Sequence, residues 1–555
     1  MRSTIGRVSS SHMTGSPVGN ANATACATLV DEWVRCGVRH AVIAPGSRST
    51  PVAIALSSRS ELTLHVVHDE RVAAFVALGI GLDGVPAVLV CTSGTAAVNF
   101  HPAVVEAGLS DVPMIVTTAD RPPELRGIGS PQTIDQIELY GRSVRWFHDA
   151  VVPDDADPLG WRPLAQRVYS TAETGPVHLN LPFREPLVGA VGVLPDPIGP
   201  PLPIPRGYAV NGPLGAEFDR QRGVIVAGGR HGHAVADIAA LATRLGWPVL
   251  ATPDSGCREL AHAVTAFDPL LRHREFADAH APEIVVRFGR APASKVLSQW
   301  IVRSGAPVFQ LGGPGVVDPE RNVVARCTLD ELAPITGAAG TPWLARWRHA
   351  EERAQSAIDA ALDELPLNEP GVARTIAGAL PADAEMVVAS SMPVRDLEWF
   401  GGPSARAHAN RGANGIDGVM STALGRALTG TPTVVLVGDI AFVHDSNALV
   451  ALRQRDADLR IVVIDNGGGG IFSFLPQASE LSRERFEQLF GTPHGTDVEA
   501  LARAHGIEAR TVSNGHELVA AVTMPGPSVT RVVTDRAENV KVHDLLNEAV
   551  AMVQR

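Results

Sequence analysis

Short apolar runs alternate along the chain with segments whose apolar residues recur at helical spacing. Residues 41–44, 64–67, 87–91 and 114–118 are runs rich in Val, Ile, Leu and Ala, which predicts buried strands. Between them, 71–82 and 95–109 predict helices, and a strand at 177–181 closes this first block. Strands that are apolar on both faces and separated by helices describe parallel sheets covered on both sides. The alternation returns twice. A second block has strand-like runs at 223–229, 248–250, 284–289 and 307–309, and a third has them at 386–389, 434–437, 461–464 and 530–533.

The segments between blocks have a different character. Pro195, Pro197, Pro200, Pro201, Pro203 and Pro205 deny the backbone donors that helix and sheet need, so an extended linker is predicted there. A Gly/Ala-rich stretch at 337–340 and a charged helix at 343–365 precede the third block. The predicted fold class is α/β, with three doubly wound parallel-sheet domains. Their boundaries are a mobile N-terminal tail at 1–25, a first domain at 26–190, a proline-rich linker at 191–210, a middle domain at 211–340, a helical linker at 341–365 and a last domain at 366–555. In the middle domain Gly228-Gly229-Arg230-His231-Gly232 departs from G-x-G-x-x-G, which favours a structural role over a dinucleotide site.

Composition narrows the class. The 555 residues hold 47 Lys and Arg against 59 Asp and Glu, a net charge of −12, and no dense basic stretch, which argues against nucleic acid as the main partner. No apolar run approaches the roughly 18–20 residues needed to span a bilayer, so no membrane insertion is expected. The five cysteines are odd in number, widely spaced and without C-x-x-C, as befits buried thiols in a reducing compartment. The first 25 residues include Arg2 and Arg7 but no apolar core, so they do not read as a secretory signal, and a cytoplasmic location is the expectation.

Candidate chemistry concentrates in the third block. One strand ends in Gly438-Asp439 and the next in Asp465-Asn466, followed by Gly467 through Gly470. Both pairs emerge at carboxyl ends of parallel strands, where open α/β sheets bind ligands. A carboxylate, an amide oxygen and a backbone carbonyl are hard donors suited to Mg²⁺ and phosphate, and the glycines allow close backbone approach to an anion. Singly, each pair is an ordinary turn. Together they resemble the metal–diphosphate motif of thiamine-diphosphate-dependent enzymes. That resemblance implies that Asp439, Asn466 and the Gly468 carbonyl ligate Mg²⁺ (or Mn²⁺), and that Gly438, Ile416, Ile471 and Phe472 contact thiamine diphosphate, with Ile416 beneath its bent form.

Glu70 follows a strand and opens a helix, and by itself it reads as an acid favoured by the helix dipole. The resemblance gives it the catalytic role. A carboxylate buried against the cofactor's N1′ shares a proton with it and favours the imino tautomer that deprotonates C2. The domains would then be pyrimidine-binding, middle and diphosphate-binding.

Pro45-Gly46-Ser47-Arg48, Ala119-Asp120-Arg121-Pro122, Gln132, Ser391 through Arg395 and Asn410-Arg411-Gly412-Ala413-Asn414-Gly415-Ile416-Asp417-Gly418 complete the pattern. Each arginine alone reads as a surface ion-pair partner. Together Arg48, Arg121, Arg395 and Arg411 suit substrates with several carboxylates. With Arg287-Phe288-Gly289-Arg290, Lys295 and Ile440, the set resembles the 2-succinyl-5-enolpyruvyl-6-hydroxy-3-cyclohexene-1-carboxylate synthases of menaquinone biosynthesis. The implied reaction is decarboxylation of 2-oxoglutarate followed by conjugate addition of the succinyl unit to isochorismate. Ser391, Arg395 and Arg411 would take the succinyl carboxylate; Arg48, Arg121, Gln132 and Lys295, joined by Ser47, would receive isochorismate. Pro131 and Asp465 stand where asparagine is common in this family. Because Glu70 and Asp439 lie in different domains, the resemblance implies a homodimer, or a tetramer of paired dimers. The alternatives are another thiamine-diphosphate-dependent 2-oxoacid decarboxylase, an acetolactate-synthase-like enzyme, or a non-catalytic diphosphate-binding protein.

Overall fold

The computed structural model describes residues 16–154, 160–199, 221–313, 315, 317–332 and 341–554. Its contacts divide the chain into two compact units, Met1–Gly108 with Val112–Ile204, and Leu109–Asp111 with Pro205–Arg555.

The first unit is one parallel sheet with helices. Its strands are β1 (His40–Ile43), β2 (Thr63–Val66), β3 (Ala87–Cys91), β4 (Met114–Asp120), β5 (Trp146–Asp149) and β6 (Pro176–Pro182), in the order β2-β1-β3-β4-β6-β5. β3, β4 and β6 are buried along their whole length, which is why they read as continuous apolar runs. The order reverses between β1 and β3, so the loops after these strands flank a crevice of the kind in which α/β sheets hold ligands. Glu70–Gly81 forms a helix capped by Asp69, whose carboxylate accepts from the Arg71 amide.

The expected tail at 1–25 is corrected from residue 17 onward, because Pro17–Cys36 is a single helix. Its first turns are small residues packed against other backbone: a Cβ on Gly19 would meet the Val188 carbonyl oxygen at 2.5 Å. Asn22 Nδ2 donates to the Arg184 carbonyl at 2.8 Å. A stripe of Gly, Ala and Asn has no apolar signature, yet it packs closely enough to be buried. Residues 1–15 lie outside the described residues, as do 200–210 of the proline-rich linker; 191–199 have no regular secondary structure.

The second unit holds two parallel sheets. The first contains β7 (Gly223–Ala227), β8 (Val249–Ala251), β9 (Ala263–Val264), β10 (Ile284–Phe288), β11 (Val308–Leu311) and β12 (Val323–Cys327), ordered β12-β11-β10-β7-β8-β9. This is the strand order of a dinucleotide-binding sheet, but the gap between the β7 and β10 loops is filled by the loops themselves. Gly228 N donates to the Phe288 carbonyl at 2.9 Å and Arg290 N to that of Gly229 at 3.0 Å. A Cβ on Gly228 would lie 1.9 Å from the Arg290 oxygen.

The second sheet contains β13 (Glu385–Val388), β14 (Thr433–Gly438), β15 (Leu459–Asp465), β16 (Glu508–Val512) and β17 (Ser528–Val533), ordered β13-β14-β15-β17-β16. The segment expected as a helical linker is the helix Pro342–Asp363, and it belongs to a core. Trp343, Trp347, Ala350, Ala354 and Ile358 line one face and join the cluster containing Val224, Phe267 and Trp300. Trp343 Nε1 donates to the Gly223 carbonyl at 2.9 Å. Its charge pattern marked a solvated face and hid the buried one. Among the described residues no helix is long and apolar enough to cross a membrane.

Candidate active site

β14 and β15 pair in register with Gly438 opposite Ile464, so Asp439 and Asn466 leave the sheet side by side. Asp439 is buried; its Oδ1 accepts from the Ile440 amide at 2.7 Å and its Oδ2 from the Gly468 amide at 2.9 Å. Burial pushes the carboxyl above its ordinary range despite these two bonds. Asn466 Nδ2 donates to Glu369 Oε1 at 2.9 Å, while its Oδ1 is buried and has no hydrogen-bond partner among the described residues. Gly467 and Gly468 have φ of +72° and +139°, conformations that turn this loop back beneath the strand ends. The Gly468 carbonyl accepts from the Gly470 amide at 2.9 Å and keeps a second lone pair. A carboxylate, an orphaned amide oxygen and a backbone carbonyl are the donor set that Mg²⁺ or Mn²⁺ takes, so the residues present fit such an ion.

Asp439, Asp465 and His494 also bring one potential ligand atom each within 4.8 Å of the others. Hydrogen bonding argues against the last two as ligands. Asp465 Oδ2 is taken by Arg531 Nε at 2.6 Å. His494 Nδ1 accepts from the Thr496 amide at 3.0 Å, so the neutral ring has its proton on Nε2, facing Asp439 Oδ2 at 3.5 Å. His494 Nε2 is itself buried and makes no hydrogen bond among the described residues.

A second group gathers beside the same sheet. Ser391 precedes the helix Met392–Phe400 at φ +79°, and Arg395 Nη1 donates to its carbonyl at 2.5 Å. Burial, and then the neighbouring Arg411 guanidinium, hold Arg395 below its ordinary range. Ser390 Oγ donates to the Asn410 carbonyl at 3.1 Å and Asn410 Nδ2 to Thr422 Oγ1 at 3.1 Å, which fixes the loop that presents Arg411. Arg411 lines a cavity of about 610 Å³ with Asp254, Arg290, Glu398 and Asn414. Burial lifts the Glu398 carboxyl to about 7, even with amides of Ala293 and Ser294 donating to it at 3.0 and 2.8 Å. Ile416, an apolar side chain, is 38% exposed. Gly438 and the Ile471 and Phe472 of the turn Gly470–Phe474 are half-buried, with the Phe472 ring 5.3 Å from that of Phe490. Lys295 is exposed at the start of the helix Lys295–Ser304 and does not line the cavity.

In the first unit, Arg48 and Arg121 meet at the switch between β1 and β3. Arg48 is buried; it donates to the Phe183 carbonyl at 3.1 Å and to Glu185 Oε1 at 3.0 Å, and its amide to Thr92 Oγ1 at 3.3 Å. Arg121 bonds Ser93 Oγ, and burial followed by the Arg48 charge lowers its pKa. Gln132, exposed at φ +53°, donates from Nε2 to the Ser93 carbonyl at 2.9 Å and accepts from Ser93 Oγ at 2.8 Å through its own carbonyl. Ser47 is exposed on the same loop as Arg48, and Pro131 is exposed beside Gln132. Glu70 is half-buried at the head of its helix, close enough to the buried Cys91 to raise that thiol further.

Sequence reasoning passed over Ser93, Gln136, Glu369 and His494. Gln136 joins the Gly94 amide (3.0 Å), the Ala119 carbonyl (3.2 Å) and Asn180 Oδ1 (2.9 Å), tying the β3 loop to β4 and β6. It stands four residues after Gln132, in Gln132-Thr133-Ile134-Asp135-Gln136, with nothing local to mark it apart.

Three family models cover most of the chain. The N-terminal TPP binding domain of thiamine pyrophosphate enzymes matches residues 23–139, the middle domain of thiamine pyrophosphate 211–388, and the C-terminal TPP binding domain 399–529. The chain is therefore a thiamine pyrophosphate enzyme by its domains. Among curated relatives, the 2-succinyl-5-enolpyruvyl-6-hydroxy-3-cyclohexene-1-carboxylate synthase of Myxococcus xanthus is 41% identical, covering 94% of this chain and 96% of its own length. The synthases of Chloroflexus aurantiacus (40%, 94% and 96%) and Thermobifida fusca (42%, 97% and 100%) align as completely. The chain belongs to the 2-succinyl-5-enolpyruvyl-6-hydroxy-3-cyclohexene-1-carboxylate synthase family.

Proposed function

We propose that this chain decarboxylates 2-oxoglutarate with thiamine diphosphate and Mg²⁺ (or Mn²⁺) and joins the succinyl unit to isochorismate by conjugate addition, as a cytoplasmic enzyme of menaquinone biosynthesis. The observation behind the site assignment is the buried, unpartnered Asn466 Oδ1 in the loop after the strand next to that of Asp439, in a chain of which 94% aligns with a synthase of this name. Asp439, Asn466 and the Gly468 carbonyl would hold the cation, and Gly438, Ile416, Ile471 and Phe472 the cofactor. When bound, thiamine diphosphate supplies the electron sink for loss of carbon dioxide from a 2-oxo acid.

The protein's own part is proton placement and anion binding. Glu70 would hold a proton at N1′ of the cofactor. Arg395 and Arg411 are like charges near enough to feel each other, an arrangement that a carboxylate between them would relieve. Ser391 stands beside them. Arg48 and Arg121, with Ser47, Gln132 and Lys295, would receive the carboxylates of isochorismate. We infer a homodimer, or a tetramer of such dimers, in which Glu70 of one copy serves the cofactor held by Asp439 of another.

The test is turnover of 2-oxoglutarate with isochorismate, thiamine diphosphate and Mg²⁺, followed by mass detection of the adduct. Rapid carbon dioxide release without isochorismate, and no adduct with it, would replace this reading by that of a simple 2-oxoacid decarboxylase.

A further inference from the structure

We propose that Glu369 is a positioning residue that fixes which end of the Asn466 side chain faces the divalent cation; this rests on the reading that Asp439 and Asn466 hold that cation. An asparagine amide has two ends of nearly equal shape, and rotation about its last torsion is soft. Only the oxygen end can ligate a metal. Something must therefore hold the NH₂ group away from the site.

Glu369 is placed to do so. It is 2% exposed, in the first turn of the helix Glu369–Ala379, whose preceding Asn368 side chain accepts from the Gly371 amide at 2.9 Å. Its Oε1 receives both Asn466 Nδ2 at 2.9 Å and the Thr534 hydroxyl at 3.0 Å. Two donors converging on one oxygen hold it in the acceptor role. Turning the Asn466 amide over would set Oδ1 against that oxygen, 2.9 Å away, and put two N–H groups where the buried, unpartnered oxygen now lies. No ion pair to Glu369 occurs among the described residues, although a buried carboxyl ordinarily demands one. The helix N-terminus and the two donors compensate in part. Outer partners of this kind orient metal ligands, and losing one typically costs about 10–100-fold in metal affinity.

The test titrates Mn²⁺ into the full-length protein saturated with thiamine diphosphate and follows free Mn²⁺ by electron paramagnetic resonance. Glu369→Ala is expected to weaken Mn²⁺ binding roughly 10–100-fold. Glu369→Gln, whose carbonyl oxygen can take the acceptor position, should stay within about threefold of the parent. In an Asn466→Ala background, adding Glu369→Ala should change affinity by less than about twofold, since the residue acts through Asn466. Should the alanine variant fail to fold, Glu369→Met fills the same space without an acceptor and should show the same loss. Parental affinity in Glu369→Ala, or losses from the two sites that multiply independently, would overturn the proposal. If Asn466→Ala itself bound Mn²⁺ like the parent, the cation reading would fall, and this one with it.

Discussion

Three glycines around the cation site form a graded test of how tightly its backbone is built. Gly438 has φ −78° and nothing within 4 Å of where a Cβ would stand, so alanine there should be neutral or stabilise by about 0.4–1 kcal/mol through the unfolded chain. Gly467 has equally open space but φ +72°, and alanine should cost about 1–2 kcal/mol from left-handed backbone alone. Gly468 combines φ +139° with a Cβ position 1.8 Å from the Gly491 carbonyl oxygen. That oxygen cannot swing away freely, because it accepts from the Gly469 amide at 2.8 Å. Overpacking adds about 1–3 kcal/mol, so Gly468→Ala should cost roughly 2–5 kcal/mol in all. The backbone would yield by shifting its amide off Asp439 Oδ2 and moving its carbonyl, and Mn²⁺ affinity should drop at least about tenfold. Urea midpoints and Mn²⁺ titrations of the three variants give the ranking. A Gly468→Ala protein matching Gly438→Ala in both measurements would refute this account of the loop.

Two further outcomes follow from the charges. Arg395→Gln should raise KM for 2-oxoglutarate about 10–100-fold, as for a lost charge-assisted bond, and leave stability equal or higher because one of two adjacent guanidinium groups is gone; an unchanged KM measured by steady-state kinetics would remove Arg395 from the substrate site. Burial lifts the Asp445 carboxyl to about 7, although Ser421 donates to it from both its amide and its hydroxyl at 2.8 and 2.7 Å. A carboxyl whose native pKa lies above its unfolded one favours the folded state less as pH rises from about 4 to 7, by roughly 4 kcal/mol for this group. Asp445→Asn should therefore flatten the stability–pH profile across that window, read from urea midpoints at several pH values.

What could be read from the chain follows burial. Strands covered on both faces, such as β3, β4, β10, β14 and β15, announce themselves as apolar runs, and Asp439 and Asn466 could be found because they terminate two such runs. Edge strands were legible only in part: β2 and β13 overlap the predicted runs 64–67 and 386–389, while β5, β9, β12 and β16 were not predicted. β5 is half-buried at each of its four residues, and β16 buries only Ala509 and Val512 of Glu508-Ala509-Arg510-Thr511-Val512. Glu369 stayed hidden for another reason: Asn368-Glu369-Pro370 is a sound helix start by local rules, and only the fold brings Thr534 and Asn466 onto its oxygen. His494 likewise lies in a turn with no motif of its own.

Several local conflicts in this protein fall where ligands would go. Ser391 and Gln132 sit at positive φ without being glycine. Arg395 faces Arg411 and Arg121 faces Arg48, each pair like-charged. Asn466 buries an oxygen with no partner. Each of these costs free energy in the chain alone, and all but Arg395, which sits in the helix Met392–Phe400, lie in loops. A carboxylate would resolve the charge conflicts and a hard cation the orphaned oxygen. The middle sheet makes the contrast. It has the strand order of a dinucleotide fold, yet its β7 and β10 loops bond to each other across the switch point. Strand order alone therefore says little about binding; the loops that follow the strands decide whether the crevice at the switch point is filled by the chain itself.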